Sequence, residues 1–313
     1  MIPILIDCDP GIDDAVALML AASAPDRFRL LGVSTVFGNV GAEQTADNAR
    51  RVLAFCGQST VPVAKGCERP LLRPVRDAAF IHGTSGLGSA LLPEPDGALD
   101  RRHGVDLILD EIVRSADPVT LVTLGPLTNV ALAIVKEPAV MARLQRIVIM
   151  GGAVRELGNM PSTAGFNLYA DPHAAEIVFR SGLPLVQMTI DATHHVRASR
   201  DHLAALRTVG NRHAELAASL FDDFATDGAP EPDSPVNGCM HDPCCIAYLL
   251  DPTIARGREA YVQVETASEV SMGRSVIDWW GRSGQPANAF VINAIDGDAF
   301  FALLRRQLVK LPA

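Results

Sequence analysis

Four aspartates, Asp7, Asp9, Asp13 and Asp14, fall within eight residues of an otherwise apolar opening, in the stretch DCDPGIDDA. An unpaired carboxylate beside a hydrophobic core is costly, so this crowding calls for compensating charge. Asp9 stands at the exit of the apolar run, and Asp13 and Asp14 belong to the first turn of the helix that should follow. Pro10-Gly11 makes the turn between them tight. A helix N-terminus favours negative charge by only ~0.3–1 kcal/mol per group, whereas like charges at close range push protons back on. A bound divalent cation resolves the conflict. Carboxylates with backbone carbonyls form an all-oxygen ligand set, which selects a hard ion and suits Ca²⁺ better than Zn²⁺. The distant segment MHDP offers a further imidazole and carboxylate, His241 and Asp242. Helix capping and solvation alone would account for one or two such acids, not for four.

The elements that must position these groups alternate along the chain. IPILIDCD reads as a buried strand, followed by a helix from Asp13 to about Ser23. FRLLGVSTV (28–36), VPVA, PVTLVTLG (118–125), RIVIMGG (146–152) and LPLVQMTID (183–191) read as further strands. Helices should run over AEQTADNARRVLAFCG, GVDLILDEIVRS and PHAAEIVFRSG, over most of 199–227, and from Asp242 onward. EAYVQVET, RSVIDWW and NAFVINAID look like closing strands before a terminal helix. The pattern predicts an α/β fold: a single domain over 1–313 with an open, mostly parallel, mixed central sheet flanked by helices. Asp9, Asn39, Gly125, Asn159 and Asp191 then all fall at or beyond strand ends, where open α/β sheets bind ligands.

A net charge of −9 and a pI near 5.3 argue against a nucleic-acid partner. No apolar run approaches the ~20 residues that span a bilayer, and no basic segment precedes IPILID, so a cytoplasmic location is expected. The six cysteines form no C-x-x-C pair and read as buried free thiols. His194, His195, His173 and Glu176 read as surface or loop residues, since no H-E-x-x-H pattern surrounds them.

Taken together, DCDPGIDDA, GNV (38–40), HGTSGLG (82–88), LGPLTNVALA (124–133), MGG (150–152), GNMPSTAGFN (158–167) and MHDP (240–243) resemble the inosine-uridine-preferring nucleoside hydrolases. The resemblance runs from Ile4 to about Pro252, and GRSVID extends it. It implies Ca²⁺-dependent hydrolysis of the N-glycosidic bond of ribonucleosides. Asp9, Asp14, Asp242 and the carbonyl of Leu124 would hold the ion, with a water and the ribose 2′- and 3′-hydroxyls completing its shell. Asp13 would be the general base towards that water and His241 the acid for the leaving base. Asn39, Asn159 and Asn167 would hold the sugar hydroxyls, Met150 would pack beneath the ring, and Asp7 would support the loop. His82 and Phe166 would line the same pocket, and loops around 75–85 and 220–235 would choose the base. Relatives form dimers or tetramers, so a homodimer or homotetramer is expected.

The family usually carries Glu-Phe-Asn where this chain has Gly165-Phe166-Asn167. The missing carboxylate reaches the 5′ side of the sugar, which raises the alternative of a 5′-modified nucleoside using the vacated room, with Glu156 or a water as a substitute. Two other readings compete. D-x-D also opens the haloacid-dehalogenase-like Mg²⁺ phosphatases, but these place Thr or Val where Gly11 stands and have no place for LGPLTN or MHDP. A non-catalytic nucleoside-binding protein would not need both Asp13 and His241.

Overall fold

The structure is a computed structural model that describes residues 1–95, 97–160, 163–225 and 238–312. Its strands are β1 (Ile2–Cys8), β2 (Phe28–Thr35), β3 (Val63–Lys65), β4 (Thr120–Thr123), β5 (Arg146–Met150), β6 (Leu185–Met188), β7 (Ala255–Val264), β8 (Ser275–Asp278) and β9 (Ala289–Ile295). They form one sheet in the order β3-β2-β1-β4-β5-β6-β9-β7-β8. Pairing is parallel from β3 across to β9, and β7 and β8 add an antiparallel edge. Alternate side chains serve two cores, one on each face. In β1, Ile4, Ile6 and Cys8 join one cluster and Leu5 the other; in β5, Val148 and Met150 oppose Ile147 and Ile149. Burial on both faces explains why these strands read as unbroken apolar runs.

Strand order reverses direction between β1 and β4, since β2 and β3 lie to one side and β5 and β6 to the other. That switch point opens a crevice at the carboxyl ends of β1 and β4. Helix Ile12–Ala22 starts there and is buried along its whole length, as its nearly all-apolar sequence requires. It packs against helix Pro243–Leu250. Because Asp242 is the N-cap of the second helix and Asp13 and Asp14 lie in the first turn of the other, two helix N-termini meet at the crevice.

Two sequence expectations change, and the helical stretch from 199 resolves into its parts. The run LPLVQMTID leaves the sheet at Met188, and Ile190–Thr193 forms a helical turn, so Asp191 stands in that turn rather than at a strand end. An apolar run that stays buried as it turns carries no periodic mark of the change. The stretch from 199 divides into helices Arg200–Arg207 and Arg212–Ser219 and a short turn, Asp222–Phe224, with 226–237 outside the described residues. RSVIDWW is a strand only to Asp278, before Trp279 and Trp280. All six cysteines are buried and none forms a disulfide. Among the described residues, no helix is long and apolar enough to cross a membrane.

Candidate active site

Asp13, Asp14 and Asp242 are buried, and one carboxylate oxygen from each lies within 4.8 Å of the others. Asp14 is fixed by three donors. Its Oδ1 accepts from the Asp9 N–H (3.2 Å), and its Oδ2 from the Gly11 N–H (3.0 Å) and Asn39 Nδ2 (2.9 Å). Asp9 lies alongside, outside that triad, its Oδ2 accepting from the Asn39 N–H at 2.8 Å. Its Oδ1 is buried without a partner. Glycines alone make room for this carboxylate: a Cβ at Gly38 would lie 1.9 Å from Asp9 Oδ2, and one at Gly125 would lie 2.4 Å from Oδ1.

Burial, reinforced by the neighbouring carboxylates, raises Asp9 and Asp242 well above the carboxylate range and Asp14 to about 7. Asp7, deeper still, is pushed to about 7 by burial despite hydrogen bonds from Ser34 Oγ (2.5 Å) and Asn129 Nδ2 (2.8 Å). A cluster so starved of positive charge, with Asp9 Oδ1 and Asp7 Oδ2 both orphaned and only oxygen ligands on offer, fits a hard divalent cation. The Leu124 carbonyl faces the same cavity, where Asn167 Nδ2 donates to it.

Imidazoles line the same cavity. His82 Nδ1 accepts from the Ile12 N–H at 3.1 Å, which leaves the ring proton on Nε2. Gly11 permits this closure, since a Cβ there would come within 2.4 Å of His82 Nδ1. His241 is half-buried, with Nδ1 2.6 Å from Thr193 Oγ1; desolvation lowers its pKa to about 4, while Asp13 pulls it the other way. Met150, Asn159, Phe166 and Asn167 line the same cavity with Asp13, Asn39 and Asp242. The structure thus brings the expected residues to one place, with Asp9 and Asp14 just behind the cavity wall. The loop 75–85 contributes Ala78, Phe80 and Ile81 to the lining, and Phe221 and Phe224 stand where the second loop begins.

Two expectations are corrected here. His194 is no surface residue: it lines the cavity, and its ring centroid lies 6.0 Å from that of His241. Asp191 is absent from the lining. Its carboxylate accepts from the N–H groups of Val154 (2.7 Å), Arg155 (2.8 Å) and Glu156 (3.3 Å), which pins the loop after β5. Both follow from the helical turn Ile190–Thr193, which sets His194 four residues after Ile190, itself a lining residue. Phe80, Ile81, Phe221 and Cys239, which also line the cavity, carry no sequence signal beyond their apolar character. Gly165 leaves little vacated room, because a Cβ there would stand 3.1 Å from Gly152 N and 3.3 Å from Ile190 Cδ1.

Acids gathered at the switch point of a parallel sheet, with histidines lining the same cavity, suit a hydrolytic enzyme. The chain belongs to the inosine-uridine preferring nucleoside hydrolase family, whose sequence model matches residues 4–302. It is 41% identical to an uncharacterised protein of Schizosaccharomyces pombe, over 99% of both chains. It is 39% identical to the pyrimidine-specific ribonucleoside hydrolase RihA of Shewanella woodyi, over 98% of this chain and 97% of the relative. Among solved structures, the purine-preferring ribonucleoside hydrolase from Gardnerella vaginalis superposes with a TM-score of 0.87 at 27% identity, covering 99% of this chain and 98% of the other. An inosine-guanosine nucleoside hydrolase gives 0.88 at 27% identity, with both chains fully covered.

Proposed function

We propose that the protein is a Ca²⁺-dependent N-ribohydrolase that releases the free base from ribonucleosides, pyrimidine nucleosides first among them. The observation that carries the reading is the buried triad Asp13, Asp14 and Asp242 at two helix N-termini, with His241 lining the same cavity as Asp13 and Asp242. The pyrimidine preference rests on the similarity to RihA.

Asp9, Asp14, Asp242 and the Leu124 carbonyl would hold the ion. When bound, it supplies the positive charge that anchors vicinal hydroxyls and acidifies a water. Asp13 accepts the proton of the attacking water as oxygen bonds to C1′. Asn39 has its amide nitrogen committed to Asp9 O (3.1 Å) and Asp14, so it offers its carbonyl oxygen to a sugar hydroxyl. Asn167 is held between the Leu124 and Met150 carbonyls, where it meets the same hydroxyls. The C1′–N bond leaves its electron pair on the base, and His241 returns a proton there. The Thr193 hydroxyl, 2.6 Å from His241 Nδ1, holds the ring in place for that transfer. Negative charge building on the departing base draws the depressed pKa of His241 upward when the proton is needed.

The test is base release from uridine, cytidine, inosine and adenosine, with Ca²⁺ and after stripping with a chelator verified by elemental analysis. Uridine and cytidine should lead, and Ca²⁺ should restore stripped protein. Full activity without metal overturns the cation, and no base release overturns the whole reading.

A further inference from the structure

A ribonucleoside presents three recognition points: the vicinal diol, the base and the 5′-hydroxyl. If the reading above holds, the acid cluster takes the first and His241 with His82 the second. His194 neighbours the second, its ring centroid 6.0 Å from that of His241, but has a charged partner of its own. The charged groups around it are Glu156, Arg197 and Asp191, whereas Asp13 acts on both His82 and His241. It sits one helical turn beyond Ile190, and its N–H donates to the Ile190 carbonyl at 2.8 Å. Ile190 in turn is clamped to the far wall: its N–H donates to Gly152 O at 2.8 Å, and its Cδ1 lies against Gly165. His194 therefore shares its cavity with Asn159 and Phe166, on the side where Ile190 meets Gly152 and Gly165.

Its partner is built in. Asp191 pins the backbone of residues 154–156, and this sets Glu156 Oε2 3.5 Å from His194 Nδ1. A carboxylate on that side favours the tautomer with its proton on Nδ1, leaving Nε2 as an acceptor for the cavity. Asn159 complements it, because its Oδ1 already accepts from the Phe166 N–H at 2.9 Å and only its amide donors remain. One acceptor and one donor in the same cavity match a hydroxyl, which needs both.

We propose that His194, oriented by Glu156, accepts the hydrogen bond of the substrate 5′-hydroxyl. This rests on the ribonucleoside reading. His194 is thus a binding residue and Glu156 a positioning residue that acts through it.

The test is a cycle of two changes, one in the enzyme and one in the substrate: wild type, His194→Ala and Glu156→Gln against uridine, inosine and their 5′-deoxy counterparts. His194→Ala should lower kcat/KM for the parents ~10–100-fold, the worth of one buried hydrogen bond, and leave the 5′-deoxy compounds nearly unchanged. Glu156→Gln should show the same selectivity with a smaller loss. Glu156 is about half exposed, so that arm stands even if His194→Ala does not fold. Equal losses on parent and 5′-deoxy substrates overturn the assignment while leaving the hydrolase reading intact. Failure of the wild type to cleave any parent overturns both.

Discussion

Two adjacent aspartates carry different burdens. Asp14 is enclosed by donors from Asp9, Gly11 and Asn39 and has no freedom left, whereas Asp13 lines the cavity itself. Neighbouring positions on a helix point in different directions, so one can hold an ion while the other handles protons. Asp13→Asn should keep Ca²⁺ and lose kcat by roughly 10²–10⁴-fold, the usual worth of a general base. Asp14→Asn should lose the ion and the activity together. Calcium content by elemental analysis, measured beside kcat, separates the two; near wild-type turnover in Asp13→Asn would remove it as the base. The acid cluster and its partners Asn39 and His241 were legible in the sequence because buried charge next to an apolar strand is so costly that it needs a reason. Asp9 was legible as an acid, but not the glycine clamp that leaves its Oδ1 bare, since Gly38 and Gly125 meet it only through the fold.

At the level of elements, the tips of β1 and β2 are tied by a side chain with no part in the chemistry. Asn129 donates to Asp7 Oδ1 (2.8 Å) and to the Thr35 carbonyl (2.9 Å), and accepts from the Cys67 N–H (2.9 Å). Asn129→Ala takes one bond each from Asp7 Oδ1 and the Thr35 carbonyl, which keep Ser34 Oγ and the Gly66 N–H, and strips the Cys67 N–H of its acceptor, so it should cost about 1–3 kcal/mol of stability. Urea denaturation measures it, and an unchanged midpoint would show that water replaces the amide. The parallel strands were legible from alternation of short apolar runs with amphipathic helices. The end of β6 was not. Thr189 to Thr193 is buried apart from Asp191 whether extended or helical, so burial gave no periodicity to read. His194 was misplaced for that reason alone, and Asp191 with it.

For the whole molecule, the protonation of the site couples metal to stability. Asp7 and Asp14 have folded pKa values of about 7 against an ordinary 3.8. Without an ion the folded protein keeps protons that the unfolded chain releases above about pH 4. Their contribution therefore weakens as pH rises from about 4 to about 7, by about 1.4 kcal/mol per unit per group. His82, His194, His213 and His241 are depressed and act in the opposite sense. His213, remote from the site, cancels when Ca²⁺-loaded and chelated protein are compared at the same pH, and a bound cation disfavours the charged form of the cavity histidines further, which leaves them neutral over the range compared. Because Ca²⁺ binds the ionised cluster, the rise in Tm that it confers should grow from pH 5 to pH 7.5 and level off above. A calorimetric shift that shrinks over that range would place the ion elsewhere.

The meeting of two helix starts, Ile12–Ala22 and Pro243–Leu250, bears on how the protein is made. The acids of the first helix leave the ribosome early, but the helix that brings Asp242 to them is synthesised only after most of the chain. A nascent chain thus carries an incomplete centre until its last quarter docks, a closure of high sequence separation and correspondingly slow. Hydrolytic capacity arrives in a single late step, so fragments that stop short of Pro243 bear the cost of the buried acids without the function that justifies them.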